Sequence, residues 1–277
     1  MTKNAFNVSK HQQTIRVGII GACYYHSPAR FSRFSASFIR GLLPDTSPTY
    51  KRYVSMRPSI FESSDHAQWI ECSSQYLDIS AYVCGMASVE DADLHLFFND
   101  TLFIKHPWRL IAKRLRATLQ SLAAVVEPAA AGEIHPSTDL LLFDPRNPTR
   151  RHMSTFCFLL NRAGFAVFKE VAATLPIEGS NGQIRDWLEE HARNNAALKH
   201  LLHVHLTGPE SPWSWKSVFI NRIPEDLVLR KAVTVTFEYL LSEQLLQRGG
   251  FIMPINFRLS YRLQAKIAAF FGRFRHS

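Results

Sequence analysis

The sequence predicts an α/β protein: a mostly parallel central sheet flanked by helices, with a helical C-terminal region. Three observations carry this. Short runs, apolar on both sides, recur along the chain, as strands do when helices cover both faces of a sheet. Segments with helical apolar spacing lie between them. Polar and charged residues gather just after the strands, the edge at which such sheets bind ligands.

The elements follow in order. Residues 1–14 are polar and read as a flexible N-terminus. Arg16 to Gly21 reads as a buried strand, followed by the loop Cys23-Tyr24-Tyr25-His26-Ser27-Pro28. Phe31, Phe34, Phe38 and Leu42 then recur at helical spacing until Pro44 closes the helix. Leu94 to Phe98 is a second strand, stopping at Asn99-Asp100-Thr101. Pro107 stands where a helix starts, and Trp108, Ile111, Leu115, Leu119 and Leu122 form one apolar stripe. Asp139 to Phe143 is a third strand, stopping at Asp144-Pro145-Arg146. Ser154 to Leu160 is a fourth, followed by a helix on Phe165, Phe168, Val171 and Leu175. Residues 183–202 read as helical, His203 to Leu206 as a short strand, and 225–247 as an amphipathic helix. Residues 15–224 thus form the main domain and 225–277 the helical C-terminal region.

The composition bounds the function. The 277 residues are 46% hydrophobic and 20% charged, ordinary globular values that exclude a disordered chain. No run reaches the roughly 18 apolar residues of a membrane span, and Met1 to Arg16 lacks the apolar core of a signal peptide, so a cytoplasmic protein is expected. Cys23, Cys72, Cys84 and Cys157 have no CxxC spacing and are expected as free, packed thiols. With 32 basic against 23 acidic residues the net charge is +9, which points to an anionic partner: nucleic acid, a phosphorylated small molecule or a membrane surface.

Candidate chemistry sits at three strand exits: Gly21 with Tyr24, Tyr25 and His26; Asn99-Asp100-Thr101; and Asp144-Pro145-Arg146. A carboxylate at the end of a buried strand is rigidly placed and suits a divalent cation, a sugar hydroxyl or a reacting proton. The competing reading makes Asp100 a turn or helix-start residue and Asp144 the cap of an Asp-Pro turn. Arg146, Arg150, Arg151 and His152 cluster before the fourth strand, and Lys105 and His106 follow the second exit. Such groups suit phosphate oxygens, or simply a solvated surface. Asp91-Ala92-Asp93 precedes its strand, at the opposite end from Asp100, and reads as a solvated turn. There is no P-loop, no complete GxGxxG and no GxSxG elbow. His203 and His205 lack an evident third metal ligand. After Glu243 no acidic residue follows. From Phe257 on, Leu259, Leu263, Ile267, Phe270 and Phe274 share one helical face, with Arg258, Arg262, Lys266 and Arg273 beside it. That pattern over 257–276 suits an anionic membrane surface, to which the helix bearing Arg109, Lys113 and Arg116 could also belong, or a helix packed on the core with its basic side in water.

The run Leu96-Phe97-Phe98-Asn99-Asp100-Thr101-Leu102-Phe103 and the later His152-Met153-Ser154-Thr155-Phe156-Cys157-Phe158 resemble the core of bacterial cell-surface polysaccharide glycosyltransferases, the rhamnan-synthesis type above all. Pro212-Trp213-Ser214-Trp215 echoes a Trp-containing segment of those proteins. The resemblance implies a GT-A-like fold, a nucleotide-sugar donor, a glycan or lipid-linked acceptor at the cytoplasmic face of the inner membrane, and Mg or Mn as cofactor. The metal-binding DxD of that family is reduced here to Asn99-Asp100, and its strand Tyr is Thr155. Asp100 is then expected to hold the donor or its metal. Gly21, Tyr24, Asn99, Thr101, Lys105 and Ser154 would line the donor site, with Arg146, Arg150 and Arg151 on the diphosphate and Asp144 or His152 as base. A basic protein binding nucleic acid is the alternative, though no helix-turn-helix, zinc or RNP pattern supports it. A hydrolase of a phosphorylated or glycosylated substrate is a weaker third.

Overall fold

A computed structural model describes residues 14–44, 47–56, 69–72, 78–134, 152–176, 179–206 and 224–255. Seven strands are present among them: β1 (Val17–Cys23), β2 (Thr49–Ser55), β3 (Trp69–Glu71), β4 (Leu94–Asn99), β5 (Ala129–Ile134), β6 (Met153–Asn161) and β7 (Phe251–Pro254). The helices are α1 (Pro28–Leu42), α2 (Asp78–Met86), α3 (Thr101–Lys105), α4 (Trp108–Arg116), α5 (Leu119–Ala123), α6 (Arg162–Ala173), α7 (Asn181–Arg193), α8 (Ala196–Leu206) and α9 (Glu225–Gln247).

The strands form one sheet in the order β3-β2-β1-β4-β6-β5-β7. The α/β, mostly parallel expectation is met: β6 alone runs against its neighbours, β4 and β5. Order reverses between β1 and β4, which pair directly although β2 and β3 lie between them in sequence. That reversal opens a crevice at the carboxyl ends of the two strands. Because β6 is reversed, its first residues share this edge with the last residues of β4, and Phe98 pairs with Cys157.

Helices cover both faces. Alternate strand residues Ile19, Leu96, Phe98 and Leu159 pack under α1, α3, α4 and α5, while Ile20, Phe97, Phe158 and Leu160 pack under α2, α6, α8 and α9. Local chemistry sets the helix ends. The Ser27 hydroxyl caps α1 by accepting from Arg30 N, with Pro28 in the first turn. Ser180 and Gln183 form a capping box on α7. Asn161 caps α6, accepting from Gly164 N and Ala129 N while donating to the carbonyls of Val125 and Glu127.

Several expectations change. His203 to Leu206 continues α8 instead of forming a strand. The stripe from Trp108 to Leu122 is two helices, broken at Ala117 and Thr118. Residues 225–247 are helical as read, but α9 is not amphipathic: every residue from Ala232 to Ser242 is buried, so its middle is enclosed on all sides. The region after 225 also holds β7, which returns to the sheet beside β5. Cys72 and Cys84 are joined in a disulfide, against the expectation of four thiols, because β3 and α2 bring their Cα atoms to 6.6 Å; Cys23 and Cys157 are free and buried. The expected strand 139–143, the segment Pro212 to Trp215 and the basic stretch 257–276 lie outside the described residues.

Candidate functional site

The crevice between β1 and β4 is built around Asp100. It follows the last residue of β4 and is 1% exposed. Its Oδ2 accepts the backbone N–H groups of Tyr24 (2.9 Å), Tyr25 and His26 (3.0 Å). Three consecutive donors on one oxygen fix the loop after β1 against the end of β4. Burial pushes the Asp100 carboxyl up, and the three N–H groups oppose it. Its other oxygen, Oδ1, is buried and has no hydrogen-bond partner among the described residues. Asp100 also heads α3 without a side-chain cap bond; that bond comes from Asn99, whose Oδ1 accepts from Thr101 N at 3.0 Å. The loop presents Tyr25 to solvent at 56% exposure.

Asn99 carries a second network towards the other face. Its Nδ2 donates to Asp78 Oδ2 at 2.7 Å, at the start of α2. Thr155 Oγ1 donates to Glu238 Oε1 at 2.8 Å and lies 3.4 Å from Asp78 Oδ2. Thr155 N also donates to Glu238 Oε1, and Tyr82 Oη donates to the Thr155 carbonyl at 2.7 Å. His152 Nε2 lies 3.9 Å from Glu238 Oε2. Burial raises the half-buried Asp78 to about 6; Lys231 opposes this and Glu238 adds to it. Burial lowers His152 despite Glu238, so its imidazole is neutral at pH 7. Two carboxylates bridged by one hydroxyl, one of them titrating near neutrality, form a group able to take up a proton.

On the opposite side of the β6 start, His106 stacks on Phe156 with ring centres 3.7 Å apart. Burial, helped by the charge of Lys105, lowers His106 to about 3, so its 3.8 Å approach to Glu133 is not an ion pair.

Of the residues read from the sequence, Tyr24, Asn99, Asp100, Thr101, His152 and Ser154 share this edge. Lys105 lies exposed at the end of α3. Gly21 lies within β1, and a Cβ there would stand 2.9 Å from Tyr53 and 3.0 Å from Phe31, so the aromatic layer under α1 is reason enough for a glycine. Asp144, Arg146, Arg150 and Arg151 lie outside the described residues. Asp93, at the other edge, accepts from Arg16 N at 2.9 Å and pairs with the guanidinium groups of Arg16 and Arg162. Asp78 and Glu238 had not been singled out. Glu238 was visible as a lone acid between Val233, Phe237 and Leu241; Asp78 had no comparable signal.

For a metal, Asp100 offers one oxygen, Oδ1. Among the described residues no group of three His, Cys, Asp or Glu could hold an ion. Fold and site together define an α/β protein with a preorganised polar crevice at the reversal of its sheet. Comparison with protein-family models, with curated proteins and with solved structures returns no match. Among the described residues no helix is long and apolar enough to cross a membrane.

Proposed function

We propose that the chain is a glycosyltransferase with a GT-A-like domain, moving a sugar from a nucleoside-diphosphate sugar to a glycan or lipid-linked acceptor at the cytoplasmic membrane face. The observation that carries this reading is the loop 24–26 pinned to Asp100 at the sheet's reversal. A loop held by three backbone hydrogen bonds is a rigid wall for a ligand in the crevice where α/β sheets bind nucleotides.

In this reading the donor lies across the ends of β1 and β4. The leaving diphosphate needs positive charge, for which Arg146, Arg150 and Arg151 are the sequence's candidates. The acceptor hydroxyl loses its proton to a base. Asp78 suits that role better than His152: it is half-buried at the edge, hydrogen-bonded by Asn99 and poised near neutrality. His152 is buried beside Glu238 and better suited to positioning it.

The test is thermal denaturation with UDP, GDP, dTDP, ADP and CMP in turn. One of them is expected to stabilise the fold by about 2.7 kcal/mol at a hundredfold excess over its Kd, an effect lost in Asp100→Ala. No shift with any of the five overturns the reading.

A further inference from the structure

The layer formed by α1 and α4 carries a charge pattern that the crevice does not explain. The two helices pack closely, a Cβ on Gly41 reaching 3.4 Å from that of Ala112. Their inward faces are apolar. Their outward faces carry Arg30, Arg33 and Arg40 at spacings of three and seven, and Arg109, Lys113 and Arg116 at four and three, so each set is one exposed stripe. No Asp or Glu occurs in residues 24–44 or 101–126. Among the described residues none of these six cations is in an ion pair.

The opposite layer is arranged otherwise. Four of its cations are in ion pairs, Lys169 with Glu90, Arg185 with Glu225, Arg230 with Asp226 and Arg248 with Glu170, and exposed acids, Asp186, Glu189 and Glu190, lie beside the others. Among the described residues one helical layer is positive and the other is charge-balanced, and near an anionic plane the positive layer turns towards it.

We infer that the α1–α4 layer is the docking surface for a bilayer rich in anionic headgroups. Two features favour a bilayer over nucleic acid. The cations lie along two packed helices, a broad surface, whereas a nucleic-acid groove admits a single helix or ribbon. Two of them also sit over partly buried aromatic rings, Arg30 over Phe34 at 5.6 Å and Arg109 over Trp108 at 5.0 Å. A ring joined to a cation matches the boundary between headgroups and acyl chains. Phe103 of α3, the helix that follows β4, contacts both rings, and Phe34 belongs to α1, which follows β1, so docking brings the crevice to the headgroup level. This surface shares no residue with the stretch 257–276, and its existence does not depend on the transferase reading.

The experiment is co-sedimentation of the full chain with phosphatidylcholine–phosphatidylglycerol vesicles and with pure phosphatidylcholine. Binding is expected only to the anionic vesicles, and to fade as salt shortens the Debye length below about 10 Å. Neutralising Arg33, Arg40, Lys113 and Arg116 to Gln is expected to lower partition by about fivefold per cation, several hundred-fold in all. A matched set on the other face, Arg185, Arg193, Lys199 and Arg248 to Gln, should change it by no more than about fivefold. A Lys version of the first set keeps the charge and covers the case in which the Gln version fails to fold; it should bind as the unaltered chain does. Equal losses from both faces, an unchanged Gln set, or displacement of the vesicles by random DNA or RNA each overturns the inference. Donor binding is read by the nucleotide panel, so either result can fail alone.

Discussion

The two helical layers sit on one sheet yet keep their polar groups in opposite places. Under α1 and α4 the interior is almost wholly apolar, and the charge lies outside, cationic and, among the described residues, in no ion pair. Under α2 and α9 the interior holds Glu238, Thr155, His152, Ser242, Thr234 and Thr236, and four ion pairs lie outside. Burying polar groups costs stability unless they are satisfied, so a fold does so where the groups have work to do. The apolar-cored layer is free to serve as a surface. The polar-cored layer reaches the crevice edge through Asp78 and Thr155.

Three changes break or sharpen this contrast. Glu238→Ala should cost the most, about 4 kcal/mol in urea denaturation, because it opens a cavity and orphans the backbone and hydroxyl donors of Thr155. A loss below about 1 kcal/mol would mean that the interior network is not a structural unit. Asp78→Asn comes next, through pH. A carboxyl raised from 3.8 to about 6 on folding binds its proton more tightly in the native state. Its contribution is therefore intact below the unfolded pKa and is lost as pH climbs to about 6. The two proteins should match in stability at pH 3, and the variant should be the more stable by up to about 3 kcal/mol at pH 7. Parallel curves from pH 3 to 7 would remove Asp78 as the poised acid. Lys113→Gln should do least, within about 0.5 kcal/mol, since the ammonium group is exposed and in no ion pair. A larger loss would show that the cationic layer contributes to the fold itself.

Much of the sheet was legible because its strands announce themselves. β1, β4 and β6 are continuous apolar runs, and α1 and α6 show plain helical spacing. The missed strands lack that signal. β2 begins Thr49-Tyr50-Lys51-Arg52 and is buried only in its last three residues. β5 is Ala-Ala-Ala-Gly-Glu-Ile, small residues favouring no period, and β7 has four residues ending in Pro. The reversal of β6 was also out of reach, since pairing direction leaves no mark on an apolar run buried on both faces.

At the site, chain order marked Asp100 as a strand-exit acid but not the Tyr24, Tyr25 and His26 amides it binds, 74 to 76 residues away. Nor did it show that Asn99 and Asp100, adjacent in sequence, lead into separate networks. Periodicity and composition act within a few residues, so the sequence alone determined the α/β class, the main strands and helices and the positive charge. Which carboxylate meets which donor, which layer keeps its cations unpaired, and why the middle of α9 is enclosed depend on strand order. Contacts between distant segments set that order, and only the folded chain brings those segments together.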